Sequence, residues 1–256
     1  MRLYGRNPVL ERLKSNPQSI LKIYLQQGQG DSGYIRKKAQ KWGIPVFDVP
    51  GSKLMKIARN ANTQGCVADV EGFAYVLYPE LLEWATKKRA SLVFLDGIND
   101  PQNLGATLRS LACLGDFGVV IPTHHSVEVT EAVLRVACGG DNYVKVSRVA
   151  NLSRAIEDAK EAEFSIAGAV VEGGENIMEV ELPFPLGLIV GSEQKGIRDV
   201  LRRHLDITLT IPMAHARLSL NVAQATTIFC YEIERQKNKV ANSRRKAHHD
   251  ASEEIQ

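Results

Sequence analysis

Little in this chain suits a membrane, an oxidising compartment or a bound metal. No apolar run approaches the ~18 residues that a membrane span requires, and the first residues lack the apolar stretch of a secretory signal. Cysteine is scarce as well: Cys66, Cys113, Cys138 and Cys230 stand far apart, follow no CxxC spacing and have apolar neighbours. That pattern excludes a disulfide framework, makes no structural zinc site, and leaves a reduced, cytoplasmic protein as the expectation. No segment repeats. What is present is a globular composition over 256 residues, enough for one large domain or two ordinary ones with proper cores.

The net charge of +3 hides an asymmetry. Residues 1–70 hold twelve Lys/Arg against four Asp/Glu, which leaves +8 there and −5 on the remainder. A polyanion is drawn to such a segment because each phosphate that a cation neutralises releases counterions. The alternative is a charged surface that is merely solvated. The densest cluster is Arg36-Lys37-Lys38, one turn inside an expected helix, and these three are the candidate polyanion contacts.

Hydrophobic periodicity and turn residues divide the chain into alternating elements. A helix is expected over Tyr4–Leu13, entered through Asn7 with Pro8 in its first turn. A strand at Leu21–Leu25, a basic helix from Tyr34 to Trp42, a strand at Val46–Val49, a helix from Lys53 to Arg59 and a strand at Cys66–Val70 follow. Residues 1–72 thus read as a small α/β domain of a size that folds alone. Residues 73–90, with a helix from Pro79 to Arg89, read as a linker, and 91–237 as a second α/β domain. Residues 238–256 have little apolar content and no periodicity, which predicts a disordered tail. Its Arg244-Arg-Lys246 cluster is another candidate polyanion contact, and His248-His249 is too sparse for a metal.

Gly28-Gln-Gly30-Asp-Ser-Gly33 is a literal GxGxxG between a strand and a helix, with Asp48 ending the next strand. A dinucleotide fold needs two mononucleotide halves, and only one βαβ unit fits before the domain boundary. A flexible turn is the expectation.

Three runs in the second domain carry the chemistry. Asn103-Leu-Gly-Ala-Thr-Leu-Arg109 follows the buried strand Leu92–Asp96 and its polar loop into a helix expected to start near Leu104. Gly191-Ser-Glu-Gln-Lys-Gly196 follows the apolar strand Leu186–Val190. Ile211-Pro-Met-Ala-His-Ala-Arg-Leu-Ser-Leu-Asn221 follows Ile207–Ile211. Each run sits where a buried strand gives way to a loop or helix, and open α/β sheets bind ligands at such carboxyl ends.

These runs, in this order, resemble the motifs of the SpoU (TrmH-type) branch of the SPOUT RNA 2'-O-ribose methyltransferases, over roughly residues 91–237. The resemblance implies a parallel sheet whose C-terminal segment is threaded as a trefoil knot, against the general absence of knots. It also implies S-adenosylmethionine bent in that knot, no metal, and a homodimer formed through the knotted domain. Asn103, Arg109, Glu193, Ser219 and Asn221 match the catalytic positions, and Gly191, Ile211, Met213 and Leu220 match cofactor positions. The chain departs at two places: His215 stands where glycine is usual, and Ala223 where serine is usual. Residues 1–72 resemble the L30e-like substrate-binding domain of the large-subunit rRNA members, through the opening Tyr-Gly-x-x-x-Val-x-x-x-Leu at Tyr4–Leu13 and the order of elements. Arg36, Lys37 and Lys38 then become candidate RNA contacts.

A ribose 2'-hydroxyl is a poor nucleophile until its proton is taken, and methyl transfer from a sulfonium needs in-line approach, so positioning supplies much of the rate. The family resemblance makes Arg109 catalytic. A guanidinium is ordinarily always protonated, so a phosphate clamp is as consistent with the residue as a base. Gly191 and Gly196 permit close approach and positive φ, and Glu193 in their turn is also placed to serve as a carboxylate at a helix N-terminus. Ser219 and Asn221 alternate with Leu220, so an extended backbone turns both polar groups to one side. His215 is either a proton acceptor at the pocket rim or a solvated loop histidine. The activity implied is S-adenosylmethionine-dependent methylation of a ribose 2'-hydroxyl, with a guanosine of large-subunit (23S) rRNA as target. A tRNA substrate, or a non-catalytic ribosome-assembly factor on the same fold, are the alternatives.

Overall fold

The computed structural model describes every residue except Gly30, Asp31, Asn60, Ala216, Arg217 and 254–256, and for 240–253 the backbone alone. In chain order the elements are β1 (Arg2–Tyr4), α1 (Arg6–Ser15), β2 (Ile20–Gln26), α2 (Gly33–Lys41), β3 (Val46–Val49), α3 (Gly51–Ile57) and β4 (Cys66–Val70). Next come α4 (Tyr78–Lys88), β5 (Ser91–Asp96), α5 (Pro101–Leu114), β6 (Phe117–Pro122), α6 (Glu131–Ala137), β7 (Lys145–Val149) and α7 (Leu152–Glu161). The chain ends with β8 (Ser165–Ala169), β9 (Glu175–Asn176), β10 (Leu186–Gly191), α8 (Asp199–Arg202), β11 (Ile207–Thr210) and α9 (Val222–Glu253).

The chain divides into two compact units that interleave in sequence. One comprises Met1–Tyr75, Asn99–Ala112 and Val127–Lys145, the other Val76–Ile98, Cys113–Ser126 and Val146–Gln256.

In the first unit the sheet order is β1-β4-β2-β3, with β2 parallel to β3 and antiparallel to β4. Strand β1 departs from the sequence expectation: the helix expected from Tyr4 starts at Arg6, and Arg2–Tyr4 instead pair antiparallel with Val67–Asp69. Three residues are too few to display an alternation. The sheet is mixed and holds a single βαβ unit, β2-α2-β3, so GxGxxG has no second half to serve. Its Gly30 and Asp31 lie outside the described residues.

Residues 127–145 join this unit through contacts that local periodicity cannot reveal. Arg12 Nη2 lies 2.6 Å from Asp141 Oδ2, both side chains being buried, and Arg12 Nη1 donates to Ser19 Oγ at 3.1 Å. The Tyr4 hydroxyl donates to Glu131 Oε2 at 2.9 Å, and the Tyr143 hydroxyl to Glu11 Oε2 at 2.9 Å. At Gly139 (φ 96°) an added Cβ would lie 2.6 Å from Glu11 Cβ, so glycine is what lets α1 come this close.

In the second unit the sheet order is β7-β6-β5-β10-β8-β11-β9, and the pairings from β6 through β9 are all parallel. Every residue of β5 and β6 is buried, as a sheet covered on both faces requires. Leu92, Phe94, Val120, Ile156, Ile166 and Ile189 lie in its core. Helix α4 contributes Tyr78, Leu81 and Ala85 to the same core, which corrects the expectation that 73–90 merely links two domains. Its apolar positions 78, 81 and 85 follow the spacing of a helix with one buried stripe.

The tail also differs from expectation. Helix α9 continues through Glu253, where the composition predicts disorder from 238. Residues 222–253 contain no glycine or proline and many lysines, arginines, alanines and glutamates, so a helix nucleated by its packed first turns propagates readily. Arg244, Arg245, Lys246, His248 and His249 fall in the stretch described by its backbone alone.

The Arg12–Asp141 pair generates a prediction. Arg12→Ala leaves a buried carboxylate without its cation and lowers the unfolding free energy by about 3–5 kcal/mol at neutral pH. Burial already pushes the Asp141 carboxyl above its ordinary value, with Arg12 pulling the other way. Without Arg12 the folded-state value rises further. The deficit against wild type is therefore greatest above that raised value and shrinks as pH falls toward the ~4 of an unfolded carboxyl. Urea unfolding of both proteins across pH measures it; a deficit below about 1 kcal/mol at neutral pH, or one that grows on acidification, contradicts the account.

Candidate active site

Strands β5 and β10 lie side by side at the centre of the sheet, in a register that ends with Gly191 opposite Asp96. Asp96 is buried, and it accepts the Arg198 backbone N–H at Oδ2 (2.9 Å) and the Arg198 Nε–H at Oδ1 (2.7 Å). The loop between Gly191 and Arg198 is thus tied to the sheet at both ends. Inside it, Gly196 donates its N–H to the Ser192 carbonyl at 2.8 Å and holds φ at 63°. A Cβ on Gly191 would stand 2.1 Å from the Gly196 carbonyl carbon. This glycine is required by its own turn, before any ligand is considered.

The turn forms one wall of a cleft of about 420 Å³, a volume within the range of small-molecule sites. Gly191, Glu193, Ile211, Met213, Ser219 and Leu220 all line it, so the second and third sequence runs meet at one place. Asn221 supports the cleft. Its Nδ2 donates to Glu193 Oε1 at 2.9 Å, and its Oδ1 accepts the Ala223 N–H at 2.9 Å, capping α9. Glu193 therefore does sit at a helix N-terminus, that of α9, where the macrodipole favours a carboxylate. His215 is exposed on the third-run loop, and its carbonyl accepts the Leu218 N–H at 3.1 Å.

The sequence reading missed three further contributors to this wall. Ala169 ends β8 and residues 170–172 follow it, Arg202 lies on α8 and Phe229 on α9. Strand β8 lies beside β10 in the sheet although β9 separates them in sequence, so adjacency was not legible. The available signal was an acid followed by a glycine pair, Glu172-Gly173-Gly174, after a strand.

The cleft suits S-adenosylmethionine. Val190, Ile211, Leu220 and Phe229 offer apolar surface to a base, and the Glu172 and Glu193 carboxylates favour a cation. Among the described residues no group of three or more His, Cys, Asp or Glu is arranged to hold a metal.

Asn103 and Arg109 belong to the first unit. Both lie within α5, which begins at Pro101, so Asn103 is in the first helical turn instead of the loop before it. Six residues apart on one helix, the two side chains diverge by about 120°. Burial agrees, since Asn103 is buried and Arg109 exposed. The helix does not bring them to one face. It does fix the backbone of both: an added Cβ on Gly105 would lie 2.6 Å from Val136 Cβ, and one on Gly140 would lie 2.8 Å from Arg109 Cα.

Of the basic triplet, Arg36 is paired with Asp48, Lys38 holds its Nζ 5.7 Å from the Tyr34 ring centroid, and Lys37 is exposed. The Cys66 thiol is pushed up to about 12 by burial, and that of Cys230 is raised by burial as well. Neither is poised to react.

A family model described as the SpoU rRNA Methylase family matches residues 90–231. A second, described as RNA 2'-O ribose methyltransferase substrate binding, matches residues 2–76. The 23S rRNA (guanosine-2'-O-)-methyltransferase RlmB of Coxiella burnetii is 35% identical over 245 residues, which cover 94% of this chain and 98% of that protein. The putative TrmH family tRNA/rRNA methyltransferase YacO of Bacillus subtilis is 32% identical over 240 residues, 92% of this chain and 96% of that protein. The match to an uncharacterized tRNA/rRNA methyltransferase of Synechocystis, 35% identical over 240 residues, spans 62% of that longer relative. Among solved structures, an AdoMet-bound rRNA methyltransferase from Sinorhizobium meliloti shares the fold, with a TM-score of 0.75 and 22% identity over 91% of this chain and 86% of that one.

Gly191→Ala tests the turn. The new Cβ displaces the Gly196 carbonyl, so stability falls by about 1–3 kcal/mol and S-adenosylmethionine binding to the full chain, followed by isothermal titration, is lost. Gly33→Ala meets nothing within 4 Å and leaves both quantities unchanged. Wild-type binding by a folded Gly191→Ala protein would show that the turn can relax.

Proposed function

The chain belongs to the SpoU rRNA Methylase family, and on that basis we propose that it transfers a methyl group from S-adenosylmethionine to a ribose 2'-hydroxyl of RNA, with a guanosine of large-subunit rRNA as target. The observation that carries this reading is the single cleft that gathers Gly191, Glu193, Ile211, Met213, Ser219 and Leu220 at the carboxyl ends of β8 and β10. The rRNA guanosine as target rests on relatives such as the Coxiella protein, which covers this chain almost end to end. A tRNA target is the alternative, because the Bacillus relative is named for both RNAs.

S-adenosylmethionine supplies an activated methyl group on a sulfonium. The protein's part is to hold and orient. Ile211, Met213 and Leu220 present apolar surface that excludes water, while the Glu193 carboxylate, fixed by Asn221, offers negative charge beside the cleft. Ser219 lines the same wall and provides a hydroxyl for the substrate edge. Arg109 is exposed and makes no ion pair among the described residues, so its guanidinium is available to a phosphate. A permanently protonated guanidinium does this better than it accepts a proton. In this scheme Arg109 clamps the phosphate next to the reacting ribose, and the hydroxyl proton leaves to water or another group.

The reading extends to three expectations of the family resemblance: the C-terminal segment threaded as a knot around the cofactor, assembly of two copies through that domain, and action in the cytoplasm. Among the described residues no helix is long and apolar enough to cross a membrane.

Mapping ribose methylation across rRNA and tRNA in cells with and without this protein tests the function; no lost site in either RNA would sink it. Arg109 supplies the mechanistic test. Arg109→Ala lowers kcat by at least about a hundredfold with S-adenosylmethionine affinity nearly unchanged, the signature of an interaction with the reacting substrate. Arg109→Lys recovers part of the rate if a point charge suffices for the phosphate, and none if a bidentate fork is needed. Full activity in Arg109→Ala would move the role elsewhere, with His215 the first candidate.

A further inference from the structure

Helix α2 and its C-terminal cap carry two large aromatic side chains that the protein leaves in water. Tyr34 is 51% exposed and Trp42 is 47% exposed. They lie eight residues apart, which sets them about 80° apart around the helix and about 12 Å apart along its axis. Each ring has a lysine against it: Lys38 Nζ is 5.7 Å from the Tyr34 centroid and Lys41 Nζ is 5.9 Å from the Trp42 centroid. Lys37, exposed on the same helix, adds a third cation. Ile35 and Ala39 are the buried residues of the helix, and Trp42 stands at the edge of the face they form, about 20° from Ile35 around the axis.

An ordinary solvated helix face does not need two such rings. Burying them elsewhere would gain hydrophobic free energy in proportion to their area. Exposed aromatics with lysines beside them instead match what unpaired nucleotides require, a flat surface for the base and a cation for the adjoining phosphate. A fully paired helix offers only phosphates and 2'-hydroxyls, because its bases are already stacked. The charge of the surrounding segment, +8 over residues 1–70, favours a polyanion over an average protein surface.

We infer that Tyr34 and Trp42 form a base-stacking platform for unpaired nucleotides of the RNA substrate, with Lys37, Lys38 and Lys41 holding the backbone beside them. The inference rests on the proposal that the protein acts on RNA, and it adds which feature of the RNA the N-terminal unit selects. It also revises the triplet suggested by the sequence. Arg36 pairs with Asp48 at the surface, while Lys41, outside the triplet, stands against Trp42 and joins the RNA face.

The test uses the full chain with two probes of equal length, a single-stranded oligouridylate and a fully paired RNA duplex, each titrated at several salt concentrations. Tyr34→Ala and Trp42→Ala each weaken oligouridylate binding about 5- to 150-fold, with an unchanged salt slope and little effect on the duplex. Trp42→Phe, which keeps a ring, retains most of the affinity. The variant Lys37→Ala/Lys38→Ala/Lys41→Ala flattens the salt slope by up to about 2 for the single strand and up to about 3 for the duplex. Binding of oligouridylate to the unmodified protein also quenches tryptophan emission, a readout that does not depend on any variant folding. Unchanged oligouridylate affinity in both alanine variants, or equal losses on duplex and single strand, overturns the inference and leaves the stripe as a surface for a protein partner. Methyl transfer by the unmodified protein, measured in the same preparations, reports on the enzymatic assignment separately: an active enzyme with indifferent aromatics removes only the platform.

Discussion

Asp96 closes β5 with a carboxylate that is almost wholly buried, and both of its oxygens are taken by Arg198, at 2.9 Å by the backbone N–H and at 2.7 Å by Nε–H. A buried charge is tolerated only when such partners are present. The interaction spans two strands, since Asp96 ends β5 and Gly191, its neighbour in register, starts the loop that returns to Arg198. With the loop closed at both ends, Gly196 can hold its left-handed turn and Gly191 can lie against it. Glu193, carried by that turn, reaches Asn221 and the start of α9. The second and third sequence runs thus meet because a carboxylate outside both of them fixes where the former ends.

The first unit depends on a comparable constraint. Gly139 and Gly140 have no side chains, and each is pressed upon from a different element: α1 at Glu11 meets Gly139, and α5 at Arg109 meets Gly140. Asp141, next in sequence, is buried against Arg12 of α1. The segment that carries the substrate-binding family match is therefore packed, through one short turn, against the backbone of the residue proposed to clamp the phosphate. Gly105, from the same motif as Arg109, serves α5 in a similar way by admitting α6. Motif glycines that look like ligand contacts are here explained by helix and turn packing.

Much of the candidate site is legible in the amino-acid sequence. Each of the three runs follows an apolar strand, and the positions Gly191, Glu193, Ile211, Met213, Ser219 and Leu220 all line one cleft. The directions of the Asn103 and Arg109 side chains are not legible, because they depend on where α5 begins, and six residues on a continuous helix turn two side chains about 120° apart. The β8 contribution is hidden for another reason. Sheet neighbours need not be neighbours in sequence, and the order β5-β10-β8 is set by which strands bury their faces together.

The class of elements, the three motif runs with their strand-end positions, and the concentration of positive charge over residues 1–70 can all be read along the chain, because periodicity, turn residues and charge are local properties. Strand β1, the membership of α4 in the core, and the assignment of residues 127–145 to the unit that holds the N-terminus cannot. Nor does local pattern separate Arg36, bound to Asp48, from Lys38 and Lys41, which stand over exposed rings. Those outcomes depend on pairs such as Arg12–Asp141 and Asp96–Arg198, whose members are more than a hundred residues apart. Folding in three dimensions is what brings such groups within hydrogen-bonding distance, and a local pattern of residues carries no record of that approach.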